Sequence, residues 1–337
     1  MTHPGPLAAC GDGVRRIGRA PLLVLLTWML TLIVSVPLTL GVRRDVERQL
    51  GASLQPAEAS PGSQYDWLTA FSDQASGASA TLGPSITGFG GVLDNLSAFL
   101  DGDLRPIVLG AAGAVYVLGW TLLAGGIIDR LARDRALRAH AFGQACGGYF
   151  FPLLRLSLIS ALVYGVILGR LHLWLFDDLF DKWNEGLASD RTAVLIRFAL
   201  YGVFALALAA CNLWFDYAKV RLVVEDRASA LGALTAAARF QRRQPLAVMA
   251  LYGLDALLFV AVLAAYAMVA PGTATAPLNA WTGFLVGQLY IAARLAMKLV
   301  FWASAIALFQ GRLAHAGYAA RRVPAWPDSA AAEAVNS

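Results

Sequence analysis

Arg19-Ala20-Pro21-Leu22-Leu23, Phe151-Pro152-Leu153-Leu154 and Arg243-Gln244-Pro245-Leu246 mark three places where a basic, helix-prone segment meets a proline and a long apolar stretch begins at once. A loop, a second apolar stretch and a cluster of arginines follow each of them. That order describes three membrane hairpins, all entered from the same side of a bilayer. Proline suits such a corner because it restricts the residue before it and is tolerated in the first helical turn.

Composition leads to the same class. Of 337 residues, 58% are hydrophobic and 15% charged, with a mean hydropathy of +0.59, whereas soluble domains are about a quarter charged. Six windows, near 21–41, 106–126, 152–175, 194–214, 246–269 and 283–309, are candidate spans. Each can cross a hydrocarbon core ~30 Å thick, which takes roughly 20 residues of helix. The expected fold is an all-α integral membrane protein with six transmembrane helices in three hairpins. Each hairpin is expected to follow an interfacial amphipathic helix. Residues 1–322 form the membrane domain, 42–105 a small helical extracytoplasmic cap, and 323–337 a disordered cytoplasmic tail.

Lys and Arg set the expected orientation. With both termini inside, inner segments hold 16 of them and outer loops 6, as the positive-inside rule requires. Arg43, Arg44 and Arg48 fall outside, but in a loop long enough to cross regardless of charge. The net +5 is therefore a topology signal, and no nucleic-acid partner is expected. Cys10, Cys146 and Cys211 lie far apart and give neither a disulfide framework nor metal spacing. Span 1 lacks a small-residue cleavage site and reads as an anchor. Alanine- and arginine-rich composition points to a bacterial inner membrane.

In the cap, Val42–Leu54 can continue span 1 outward, and Ala59-Ser60-Pro61-Gly62 breaks it. Trp67, Leu68 and Phe71 recur at helical spacing, a turn follows at Gly83-Pro84, and Ile86, Phe89, Leu93, Leu96 and Phe99 make a second stripe. The stripes either pack on the protein's own spans or bind a partner. On the inner side Ala230–Arg243 is an amphipathic helix flanked by Arg239, Arg242 and Arg243; Val14–Arg19 and Leu137–Tyr149 are its expected equivalents.

The junctions at Pro21, Pro152 and Pro245, with Phe215-Asp216-Tyr217-Ala218-Lys219-Val220-Arg221 closing span 4, resemble a broad group of bacterial six-span proteins. That group includes the membrane domain found beside glycerophosphodiester phosphodiesterases. The resemblance is architectural and implies the fold. The phosphodiesterase catalytic domain has no counterpart in this chain, so its activity is not implied.

The costliest residues for a membrane are Asp255, Arg294 and Lys298, since an ionised group at mid-bilayer costs about 2.5–3.5 kcal/mol on insertion scales. Asp255 lies roughly 14 Å into span 5 and Lys298 roughly 17 Å into span 6 from the inner side. Asp255 is expected to face span 6 and pair with Lys298 or Arg294. Tyr290 and Gln288 extend the same face, and the five residues make a candidate site for an anionic lipid or small anion. A salt bridge that only locks the two spans is the alternative. Asp216, Lys219, Arg221, Arg239, Arg242 and Arg243 form a candidate docking surface for a cytoplasmic partner.

Asp177-Asp178-Leu179-Phe180-Asp181, extended to Glu185, has the carboxylate spacing that holds Mg²⁺ and diphosphate in membrane prenyltransferases. Its outer position and the lack of a second aspartate-rich run weigh against that reading. Gly165-xxx-Gly169 and Gly283-xxx-Gly287 offer small-residue faces for packing within the bundle or for a homo-oligomer. No HExxH, G-x-S-x-G or Walker A motif occurs, and neither cofactor nor metal is expected. The reading is non-enzymatic: transporter-like or lipid- and anion-handling, with a membrane scaffold or regulatory subunit as the alternative.

Overall fold

A computed structural model describes residues 5–51, 65–81, 88–101, 107–185, 190–270 and 277–312. The 323–337 tail, the breaks at Pro61 and Gly83-Pro84, Ile86 and the side chains of Trp67 and Leu68 lie outside what it describes. Every described element is helical. In chain order they are α1 (Pro6–Gly18), α2 (Pro21–Gly51), α3 (Tyr65–Gln74), a 3₁₀ turn (Gly77–Thr81), α4 (Gly88–Asp101), α5 (Ile107–Arg133) and α6 (Ala139–Val166). Two π-helical turns (Ile167–Leu171 and Trp174–Leu179) then lead into α7 (Phe180–Asn184), followed by α8 (Asp190–Val224), α9 (Ala230–Arg243), α10 (Pro245–Val269) and α11 (Pro277–Arg312). Among the described residues six helices are long and apolar enough to cross a membrane: α2, α5, α6 with its continuation, α8, α10 and α11. The architecture is all-α and multi-pass.

The corners at Pro21 and Pro245 are present. α1 ends at Arg19-Ala20 before α2, and Gln244, at φ −133° and ψ 47°, separates α9 from α10. At Pro152 there is no corner: α6 runs through it without a break. The cause lies upstream. A Cβ at Gly125 would come within 2.8 Å of the Ala145 carbonyl, and one at Gly126 within 2.5 Å of the Cys146 sulfur. α5 thus grips residues 142–149 as part of the span, and the expected surface helix at Leu137–Tyr149 is instead its first turns. Close approach occurs at these glycines, not at Gly165, Gly169 or Gly287 of the GxxxG pairs, where a Cβ would meet nothing within 4 Å.

α1 also departs from the interfacial picture. It packs lengthwise on α11 and α10, burying Ala9, Cys10, Gly13 and Ile17. At the crossing, a Cβ on Gly13 would stand 2.7 Å from the Ser304 backbone nitrogen, so only glycine lets the helices meet. This encloses the C-terminal half of α11. Within Trp281–Arg312, 61% of the most apolar window is buried, against 11–17% for the other spans. Leu299, Ala303, Ser304, Ile306, Leu308 and Phe309 have no exposed surface.

Polar contacts close this end of the bundle. Arg16 donates to the Leu131 carbonyl (2.7 Å) and Gln310 to the Ala132 carbonyl (2.9 Å), capping carbonyls that α5 cannot satisfy within itself. α8 ends in a Schellman turn: Asp226 takes φ 51°, and the Arg227 amide returns to the Leu222 carbonyl at 2.8 Å. α9 begins on a Ser229 cap and buries Ala233, Leu234, Ala237 and Phe240 against α8 and its neighbours, with Leu231 turned outward.

At the opposite end α2 does continue outward, and Ser79 of the 3₁₀ turn holds its Asp45 (2.6 Å). α4 is fixed through its C-terminus. His172 Nε2–H donates to the Leu100 carbonyl (2.7 Å), and the Tyr201 hydroxyl donates to Asp101. The expected stripe does not face the spans. Leu93, Leu96 and Phe99 are about half exposed while Ala98 is buried, so α4 packs through its small-residue side.

Candidate functional site

α11 has two polar faces, and they do different things. Asp255 of α10 is 1% exposed. Ser304 Oγ lies 2.5 Å from its Oδ2, and Cys10 of α1 adjoins the same carboxyl. Among the described residues no lysine, arginine or histidine comes within ion-pair distance of it. The expected pairing with Lys298 or Arg294 is therefore absent. Helical geometry supplies the reason: Lys298 lies six residues before Ser304, roughly 120° round the helix and roughly 9 Å along it. Because α1 seats Ser304 against Asp255, Lys298 must face elsewhere. Burial pushes the Cys10 thiol up to about 11, with its contact to Asp255 adding to the shift.

Lys298 faces α5. Its ammonium lies 4.1 Å from the centre of the Trp120 ring. Trp120 meets Trp302 edge-on at 5.8 Å. Trp302 donates through Nε1 to Asp216 Oδ1 (3.0 Å), and Lys219 reaches the same oxygen at 2.9 Å. Asn212 joins Asp216 to Tyr252, each at 3.3 Å. Of these groups Lys298, Trp120, Trp302 and Lys219 line a cavity of about 340 Å³ between α5, α6, α8 and α11, while Asp216 and Tyr252 border a separate small space. Thr121, Ser157, Ser160 and Tyr164 add hydroxyls to its lining, while Val117 and Leu153 add apolar surface. Lys298 and Arg294 are exposed, as are the lining residues Val117 and Ala161. No described carboxylate pairs with Lys298, whereas Lys219 is paired. Lys219 and Lys298 line the cavity and no described carboxylate does, so its lining carries a net positive charge.

The other residues of the expected anion site are used elsewhere. Gln288 accepts from Trp28 Nε1 (3.0 Å), tying α11 to α2, and Tyr290 stacks on Tyr266 of α10 at 4.0 Å. Arg294 lies one helical turn before Lys298 on the same side of α11. The cavity's aromatic and hydroxyl groups were not foreseen. Two signals were available: Trp120 is mid-span, although tryptophan favours the membrane interface, and Ser157 and Ser160 share a face at i, i+3.

The docking surface divides in two. Asp216 and Lys219 turn into the bundle. Arg221 is buried, bound to Glu225 through two nitrogens (2.6 and 3.1 Å) and to the Ala236 carbonyl (2.5 Å), and lies over Phe309. Arg239, Arg242 and Arg243 of α9 remain exposed. Arg242 borders a second, mostly apolar groove of about 490 Å³ with Trp214, Pro245 and Met249. Asp177, Asp178, Asp181 and Glu185 are exposed along the second π-turn and α7. No three His, Cys, Asp or Glu among the described residues are placed to hold a metal ion.

No family model, curated protein or solved structure matches the chain.

Proposed function

We propose that the protein is a non-enzymatic, lipid-handling membrane protein that takes the anionic headgroup of a phospholipid into the cavity between α5, α6, α8 and α11. The observation that carries this reading is Lys298: a mid-span ammonium that faces a cavity and has no carboxylate partner among the described residues. A lysine kept only for structure would be paired or would reach the interface. Here the counter-charge comes from the ligand, and Ser157, Ser160 and Thr121 supply hydroxyls for its oxygens. Apolar lining suits acyl chains. The arginine-rich end is assigned to the cytoplasm of a bacterial inner membrane on the positive-inside rule. Membership of the six-span group that includes the phosphodiesterase-associated membrane domain is part of the same proposal.

The test is binding of headgroup-labelled phosphatidylglycerol to the whole protein in nanodiscs of phosphatidylcholine. Lys298→Met should weaken it about tenfold, the scale of one charge-assisted hydrogen bond of ~1.5 kcal/mol or more. Competition by inorganic phosphate would assign the site to a free anion instead. A second reading, a scaffold that binds a partner through its cap, is favoured by the exposed Leu93, Leu96 and Phe99 stripe. It gains if Lys298→Met leaves lipid binding unchanged.

A further inference from the structure

A second hollow opens on the outside of the bundle, where α8, α9 and α10 meet. Its volume is about 490 Å³, within the ~300–1,000 Å³ range of small-molecule sites. It shares no lining residue with the Lys298 cavity. Hydrogen bonds fix its walls. Trp214 Nε1 of α8 donates to the Leu234 carbonyl of α9, and Gln241 Nε2 of α9 donates to the Leu213 carbonyl of α8, each at 3.0 Å. Arg312 of α11 donates to Gln244 Oε1 at 2.7 Å and holds the corner before α10.

Polarity is divided along this groove. Arg242 borders it just before the Pro245 corner, is exposed, and has no carboxylate partner among the described residues. Arg239 and Arg243, also exposed, lie within one turn of it. Past the corner the lining is apolar: Val248 is buried, while Met249 is 67% exposed. Met249 lies one turn beyond Pro245, roughly 6 Å further along α10. Ala210 and Leu213 continue the apolar lining on α8. Hydropathy ends span 4 near residue 214 and begins span 5 near residue 246. The guanidinium therefore sits at the membrane surface, and the apolar part reaches into the hydrocarbon. Trp214 at that boundary fits the same level, where indoles are enriched. A free anion would leave the apolar part unused, and a water-soluble partner would not enter it at that depth. An acidic phospholipid has both parts in the same order.

We propose that this groove holds one acidic phospholipid of the leaflet on the arginine-rich side, its phosphate paired with Arg242 and an acyl chain laid between α8 and α10. Basic pockets between spans capture lipid headgroups in this way. A guanidinium meets a phosphate through two parallel N–H donors. Phosphatidylcholine carries its own cation beside the phosphate, so Arg242 favours lipids that lack one. The acyl chain covers the apolar lining that the protein leaves open. This is a second lipid site, at the bundle's surface, and it does not rest on the reading of the Lys298 cavity.

The test is native mass spectrometry of the whole protein, released from nanodiscs of equal parts phosphatidylglycerol and phosphatidylcholine, reading the lipids that stay bound. Lys298→Met is the background, because it removes the unpaired cation of the cavity. That protein should still hold a lipid enriched in phosphatidylglycerol. Adding Arg242→Gln should lower the bound phosphatidylglycerol-to-phosphatidylcholine ratio about tenfold, the scale of one charge-assisted hydrogen bond. Adding Ala210→Phe instead should displace the bound lipid while Arg242 stays in place. Arg242 and Ala210 are both exposed, so neither change disturbs the core. No enrichment in Lys298→Met, an unchanged ratio in Arg242→Gln, or full occupancy in Ala210→Phe overturns the proposal. So does loss of the bound lipid to inorganic phosphate at matched ionic strength, which would make the groove a free-anion site. Lipid binding in Lys298→Met identical to wild type, with the Arg242→Gln effect intact, upholds the groove and counts against the cavity alone.

Discussion

The ammonium of Lys298 lies 4.1 Å from the centre of the Trp120 ring, and that indole is its main protein partner. A cation–π contact of this kind is worth ~0.5–2 kcal/mol. It holds the charge at the cavity without neutralising it, as a carboxylate would. Asp255 of α10 is buried against another face of α11, with no cation among the described residues within ion-pair distance. The two residues that the sequence invites one to pair are separated.

Gly13 and Gly11 make a matched pair for the α1 insertion. Gly13→Ala places a methyl against the Ser304 backbone and should cost about 1–3 kcal/mol of stability by overpacking. Gly11, on the same helix, has open space where a Cβ would go. Gly11→Ala should be neutral or stabilising by up to about 1 kcal/mol. Thermal unfolding in detergent reads both, and Cys10 should react faster with maleimide only in Gly13→Ala.

Arg221 is a stability residue in this fold. Its removal takes two hydrogen bonds from Glu225, whose side chain is 6% exposed, and breaking a buried pair costs about 3–5 kcal/mol. Arg227 still holds one Glu225 oxygen at 2.5 Å, so Arg221→Met should fall at the low end, about 3 kcal/mol. Denaturation monitored by tryptophan fluorescence measures it. An Arg221→Met protein of wild-type stability would return this residue to the docking surface.

Attachment of α4 should depend on pH. The Tyr201 hydroxyl, with Ser97, Arg197 and His172 adding, holds the Asp101 carboxyl below its ordinary value of 3.8. A depressed folded value means the stabilisation is fully present above the unfolded value and is lost as pH falls through the folded one. Amide exchange in Gly88–Asp101 should therefore speed up on acidification below about pH 4, while the spans stay protected. Tyr201→Phe should remove most of that step.

How far the sequence foretells this molecule depends on which contacts decide each feature. Span number follows from hydropathy alone, because a bilayer rewards length and apolarity without regard to neighbours. The corners at Pro21 and Pro245 are legible, since proline and flanking arginines act locally. Pro152 is not, because its outcome depends on how closely α5 approaches at Gly125 and Gly126. Depth was readable for Asp255 and Lys298, but azimuth was not. Which face of α11 each charge meets is set by α1, a segment whose amphipathic pattern reads equally well as a surface helix. Arg221 shows the same limit: an arginine at a helix C-terminus reads as an anchor, and only the packing of α9 reveals it as core.

A photoreactive amino acid at Ser160 tests most directly whether an anionic headgroup reaches Lys298 inside the bundle. Ser160 lines the cavity, and Leu162, two residues on, is 71% exposed and serves as the lipid-facing control. In membranes of mixed phosphatidylglycerol and phosphatidylcholine, the adduct at Ser160 should be enriched in phosphatidylglycerol about tenfold over the one at Leu162. Lys298→Met should abolish the enrichment without changing the Leu162 adduct. Equal lipid composition at the two positions, or enrichment at Ser160 that survives Lys298→Met, would contradict the account.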